Sequence, residues 1–147
     1  MEITVQSTDS LRIKGKTGSV FINPIDKTAT YNAAILLGNP AKDSLKIRDD
    51  VVVLSGPGEY EAAGIKITGI AVGEKTVFSI SVDGMDLLLG DRDALDASHQ
   101  KLKEHNVLLV RSDSPGDAGF ASALGVNATI FFGVHAKEVS DSVGKDT

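Results

Sequence analysis

Three apolar runs near the end of the sequence decide the fold: Leu87-Leu88-Leu89-Gly90-Asp91, Val107-Leu108-Leu109-Val110 and Ala128-Thr129-Ile130-Phe131-Phe132. Each is unbroken rather than alternating, as expected of strands buried on both faces. Between them lie two helical patterns. In 93–104, Leu95 and Leu102 fall seven apart beside Ala94 and Ser98, with acids early and Lys101 and Lys103 late, which suits the helix dipole. The second runs from Asp117 as N-cap through Phe120 and Leu124 to Gly125 as a C-terminal stop. The last third therefore reads β-α-β-α-β.

Upstream, the chain is strand-rich. Ile3 and Val5 alternate with polar residues, as do Leu11 and Ile13. The turn 14–18 then leads into Val20-Phe21-Ile22, so three meandering strands are expected. Ala33–Leu37 and Val51–Leu54 read as two more doubly buried strands. Gly56-Pro57-Gly58 reads as a turn, and Asp83-Gly84 as a tight hairpin between two alternating runs. Both halves need to bury an apolar face, which points to two stacked sheets with helices outside, an α+β class. One domain over 1–138 with a polar tail at 139–147 follows from length and composition.

Of 147 residues, 41% are apolar and 24% charged, which excludes a wholly disordered chain and a coiled coil. There is no Cys, so disulfide frameworks and thiolate metal sites are excluded. The net charge of −5 disfavours nucleic acid, because an acidic surface gains nothing from displacing counterions. No apolar run approaches membrane-spanning length and no secretory leader is readable, so a cytoplasmic protein is the expectation. Neither a P-loop nor a Gly-x-Ser-x-Gly elbow is present, which leaves Ser55, Ser112 and Ser114 without a motif-placed base. Lys14, Lys16, Lys42, Lys46 and Arg48 are split by acids or elements and read as solvated surface.

The order of these segments resembles the metallo-β-lactamase fold, in the small branch of metal-dependent hydrolases related to ascorbate-6-phosphate lactonase. The motifs that carry the resemblance run along the chain to about Lys137. They are the 1–16 hairpin, Phe21-Ile22-Asn23-Pro24 with Asn where the family has Asp, Gly56-Pro57-Gly58-Glu59-Tyr60-Glu61, Leu88-Leu89-Gly90-Asp91, and Ile130-Phe131-Phe132-Gly133-Val134-His135. The resemblance implies a reduced αββα sandwich with few helices. It also implies a His-x-His-x-Asp-His metal cluster after the Ala33–Leu37 strand, where metal-bound water becomes the nucleophile.

Placed on that cluster, Asn39 and Ala41 replace the leading histidines, Asp43 keeps the Asp, and Ser44 replaces the last His. Asp43, Asp91 and His135 are then the candidates to hold one weakly bound divalent ion (Zn, Mn or Mg). His99 and His105, on or beside an exposed helix, match no motif. Four good ligands are not on offer. The leading expectation is a cofactor-free pseudoenzyme acting as a binding or self-assembling scaffold. The alternative is a reduced metal-dependent hydrolase of phosphoesters or lactones. The segment between Asp43 and Val51 is also short for the helix that covers this face, so an under-covered sheet and a homo-oligomer are expected. No small-molecule ligand can be named from the sequence.

Overall fold

A computed structural model describes residues 1–25, 31–38, 47, 50–98, 100, 102 and 104–142. Eleven strands form two sheets among these residues. The first carries β1 (Glu2–Ser7), β2 (Ser10–Lys14), β3 (Ser19–Ile22), β4 (Ala33–Ile35) and β5 (Val52–Leu54), in chain order. The second carries β6 (Gly58–Ala62), β7 (Ile65–Val72), β8 (Lys75–Val82), β9 (Met85–Asp91), β10 (Val107–Arg111) and β11 (Ala128–Phe132), again in consecutive order. The meander of β1, β2 and β3 is antiparallel, whereas β3, β4 and β5 run parallel. In the second sheet β6 to β9 are antiparallel and β9, β10 and β11 parallel, the arrangement that crossover helices require.

The sheets bury their facing residues against each other. Leu11, Ile13, Val20, Ile22, Ala33 and Ile35 of the first meet Ile65, Ile67, Phe78, Ile80, Leu87, Leu89 and Leu109 of the second in one apolar layer. On the far side of the second sheet, Val77, Leu88, Leu108 and Val110 are covered by α1 (Arg92–Ser98), α2 (Phe120–Ala123) and α3 (Ala136–Ser142). Strand β10 is buried along its whole length, as its unbroken apolar run predicts. Gly90 lets α1 close down on the sheet, since a Cβ there would lie 2.5 Å from Val77 Cγ1 and 3.2 Å from Leu95 Cγ. The chain changes sheets at Gly56-Pro57-Gly58, between β5 and β6, where Gly58 takes φ +144°.

Several expectations are corrected. Among the described residues β5 and β11 are edges, not doubly buried strands: Val52 and Val53 are each 47% exposed, and of β11 Phe132 alone is buried. Helix α1 ends at Ser98 rather than 104. Asp117 does not cap α2: Gly119 occupies that position, and the Asp117 carboxylate accepts the Gly119 N–H at 3.3 Å. The boundary drawn at 138/139 falls inside α3, whose Val139 is fully buried. The outer face of the first sheet is not bare either. Phe21, Tyr31 and Ala34 are buried there, with Ile47 and Val51 packed against them.

Candidate functional site

The parallel strands β9, β10 and β11 all end at the same edge of the sandwich, and their register sets Asp91, Arg111 and Phe132 side by side. Leu87, Leu89, Leu109 and Phe132 all belong to the layer between the sheets. By the two-residue alternation of a strand, Asp91 and Arg111 point into that same layer, toward the end of the first sheet. Open sheets present their binding crevices at the carboxyl ends of parallel strands, so this edge is the place to look for chemistry.

The first sheet supplies three segments to that end. The β1–β2 turn brings Asp9, the chain after β3 brings Asn23, and the chain after β4 brings Leu37 and Gly38. Asn23 binds them together. Its Nδ2 donates to the carbonyls of Asp9 and Leu37 at 3.2 Å each, and its Oδ1 accepts the Leu37 N–H at 3.0 Å. The residue is 2% exposed and holds φ +50°, a conformation that Asn tolerates better than most side chains. An Asp could not donate both bonds, which gives a physical reason for Asn at this position.

Arg111 spans the gap between the sheets. Its Nη1 lies 3.0 Å from Asp91 Oδ1 and 3.1 Å from Asp113 Oδ2, and its Nε lies 3.3 Å from Asp9 Oδ1. The other oxygen of Asp91 is 3.3 Å from Lys75 Nζ, which also binds Asp93 at 2.8 Å. The Arg111 side chain is 10% exposed and that of Asp91 4%. Burial alone would weaken the Arg111 charge, but the Asp91 bond and the fields of Asp9, Asp91 and Asp113 outweigh it and hold the group more firmly protonated than usual. For Asp93, burial is opposed by the Lys75 hydrogen bond and charge, and the balance holds its carboxyl below the ordinary range.

One carboxylate oxygen from each of Asp91, Asp93 and Asp113 lies within 4.8 Å of the others. Three carboxylates suit a hard divalent ion in principle. The donor set does not fit one as it stands. Both oxygens of Asp91 are engaged by cations, and Asp93 and Asp113 share those same two cations, Lys75 and Arg111. An ion there would be a third positive centre beside Lys75 and the buried Arg111, and would have to displace one of them to reach an oxygen of Asp91.

The sequence candidates divide accordingly. Asn39, Ala41, Asp43 and Ser44 lie outside the described residues. Asp91 is at the site, but as an ion-pair partner. His135 opens the turn into α3, 30% exposed, with Nδ1 3.4 Å from Glu138 Oε2, and it is not in the carboxylate group. His105 is buried rather than exposed: its Nε2 is 2.9 Å from Ser79 Oγ. Sequence reading missed Arg111, Lys75, Asp9 and Asp113. A signal existed for the first, because a charge closing the run Val107–Val110 must find a partner. Its partners are distant in sequence and could not be read. A separate open groove of about 440 Å³ runs along β6 and β7, lined by Glu59, Tyr60, Glu61, Lys66, Ile67 and Thr68, and shares none of these residues.

No protein-family model and no curated protein matches the chain. Among solved structures it is similar to a Thermotoga maritima protein of the metallo-beta-lactamase superfamily, assigned by inference as a Zn-dependent hydrolase. The TM-score is 0.65 at 20% identity, over 88% of this chain and 74% of that one. It is also matched to a metallo-beta-lactamase of Cronobacter sakazakii, with TM-score 0.46 and 9% identity over 69% and 66% of the two chains. The chain thus has a metallo-β-lactamase-like fold, as the order of its motifs implied. No described helix is long and apolar enough to cross a membrane.

Proposed function

We propose that this chain is a metallo-β-lactamase-like scaffold without resident metal chemistry, acting by binding or self-assembly. We place it beside the lactonase-related branch on the motif order given above. The observation that carries the reading is the state of Asp91. The strand-end carboxylate that would hold an ion is paired on one oxygen with Arg111 and on the other with Lys75. The sequence supports it, since Asn39, Ala41 and Ser44 supply no imidazole where the family's ligand cluster falls. Self-assembly is supported by exposed apolar surface on the β5 edge, where Val52 and Val53 leave a short strand able to pair with another chain. The cover that Ile47 and Val51 give to the outer face makes that edge, not the sheet face, the surface to test.

One preparation tests both halves. Protein purified without chelators is passed over a sizing column with light scattering, and the same peak is analysed for metals. The expected result is an oligomeric mass with metal far below one ion per chain. Stoichiometric Zn, Mn or Fe that is lost on Asp91→Ala overturns the reading and restores a metal-dependent hydrolase of phosphoesters or lactones. A strict monomer at micromolar concentration removes self-assembly and leaves binding.

A further inference from the structure

The fold family implies an ion at this edge, and the residues present do not fit one. We propose that the Arg111 guanidinium is the resident cation of the site and that it joins the two sheets there in place of an ion. Two independent features support this. Arg111 reaches Asp91 at the end of β9, Asp113 just past β10 and Asp9 in the turn between β1 and β2, so one planar, permanently charged group collects carboxylates from the ends of both layers. It also packs against Gly38 in the chain after β4, where the resembled ligand loop would begin. A Cβ on Gly38 would stand 2.6 Å from Arg111 Nη1 and 2.9 Å from Cζ, so a larger residue there would push the guanidinium from this position. That glycine holds φ +71°, which the same lack of a Cβ permits.

The inference rests on the metal-free reading above, and it makes a claim of its own. Guanidinium and divalent ion exclude each other, so removing the one should open the place to the other. Without Arg111, carboxylates that a cation had neutralised face one another at short range, and an ion bound only by the folded state raises its stability.

The test is thermal unfolding of the full chain with Mn²⁺ or with EDTA as the probe. The unmodified protein is expected to show the same midpoint in both. Arg111→Met is expected to lose roughly 10 °C, since breaking a buried pair by removing one partner is strongly destabilising. It should recover several degrees in Mn²⁺, on the order of the linkage expected for saturating ion. Asp91→Asn combined with Arg111→Met should lose less than Arg111→Met alone and ignore Mn²⁺. An Arg111→Met midpoint equal to that of the parent overturns the cross-link. An Arg111→Met protein that folds and ignores Mn²⁺ overturns the exchange of ion for guanidinium. Should Arg111→Met not fold, Asp9→Asn reads the inter-sheet contact by itself: a loss of a few degrees supports it and none overturns it. Metal found in the unmodified protein would sink the functional reading, whereas a metal-free parent with an Mn²⁺-blind Arg111→Met would sink this inference alone.

Discussion

The two ends of the sandwich return the chain to the sheets with a different balance of means. At one end the returns are tight turns shaped by their own dihedrals, which then touch one another through the Lys16 N–H on Asp83 Oδ1 at 3.1 Å and Thr17 Oγ1 on the Ala63 carbonyl at 2.6 Å. Gly15 donates its N–H to the Gly18 carbonyl at 2.8 Å, and the pairs Ala63-Gly64 and Asp83-Gly84 each hold two successive residues at positive φ. For Asp83-Gly84 the values are +52° and +78°, the conformation whose twist matches the flanking strands. At the other end, beside the two-residue turns Thr8-Asp9 and Gly73-Glu74, the connections are held by buried groups far apart in sequence. Asn23 ties the turn after β1 to the segment after β4, and Arg111 and Asp9 meet across 102 positions. A turn can be stable on its own dihedral preferences. A buried guanidinium is stable only when the rest of the fold has brought its carboxylates.

This difference predicts unequal sensitivity. Asn23→Ala deletes three hydrogen bonds and leaves the Leu37 N–H and two carbonyls without their partner in a buried setting, so a loss of about 2–3 kcal/mol is expected in urea unfolding. Asn23→Asp should fall short of rescue, since it restores the acceptor but neither donor. At the opposite end Gly84→Ala should cost about 1 kcal/mol. An added Cβ there meets nothing within 4 Å, so the whole cost is the dihedral. If Gly84→Ala proved the more damaging of the two, the contrast between a locally and a globally held end would collapse.

Legibility in the sequence follows the same division. The Asp83-Gly84 hairpin, the meander, the parallel end strands and the stop at Gly125 were all readable, because dihedral preference and alternation are carried by neighbours. Where packing decides, the reading failed. Three successive valines suggested a strand covered on both faces, yet β5 is a three-residue edge, because burial depends on what lies next to it in space. The polar tail read from 139 onward begins inside α3, since Val139 is the one buried side chain among those described in the run Ala136–Ser142. At the site, Asp91 was visible at the end of its strand, but the cations that claim it were not. Arg111 ends β10, where strand register sets it opposite Asp91, and Lys75 begins β8, from where its long side chain reaches the same carboxylate.

Lys75 offers the finest measure of how the charged end is built. Its ammonium sits 3.3 Å from Asp91 and 2.8 Å from Asp93, with its side chain 39% exposed and that of Asp93 49%. The Lys75–Asp93 pair, so open to solvent, contributes about 0–1 kcal/mol, and Asp91 keeps its Arg111 bond, so Lys75→Met should be the mildest of these changes at about neutral pH. The pH dependence gives its direction. Asp93 is held below its ordinary 3.8, so its contribution is present above that value and is lost as acid carries the pH down through the folded-state pKa. Burial works against Lys75, but its bonds to Asp93 and Asp91 and their charges prevail. Its pKa is raised above 10.5, so its contribution is full below that value and fades as the pH rises through the folded-state pKa. Urea midpoints of parent and Lys75→Met should therefore differ across the span between 3.8 and 10.5 and converge beyond the folded-state pKa values on either side. A difference that stays constant through both limits would assign the effect to the packed methylene stem of Lys75 rather than to its charge, and would leave Arg111 as the cation that organises this end.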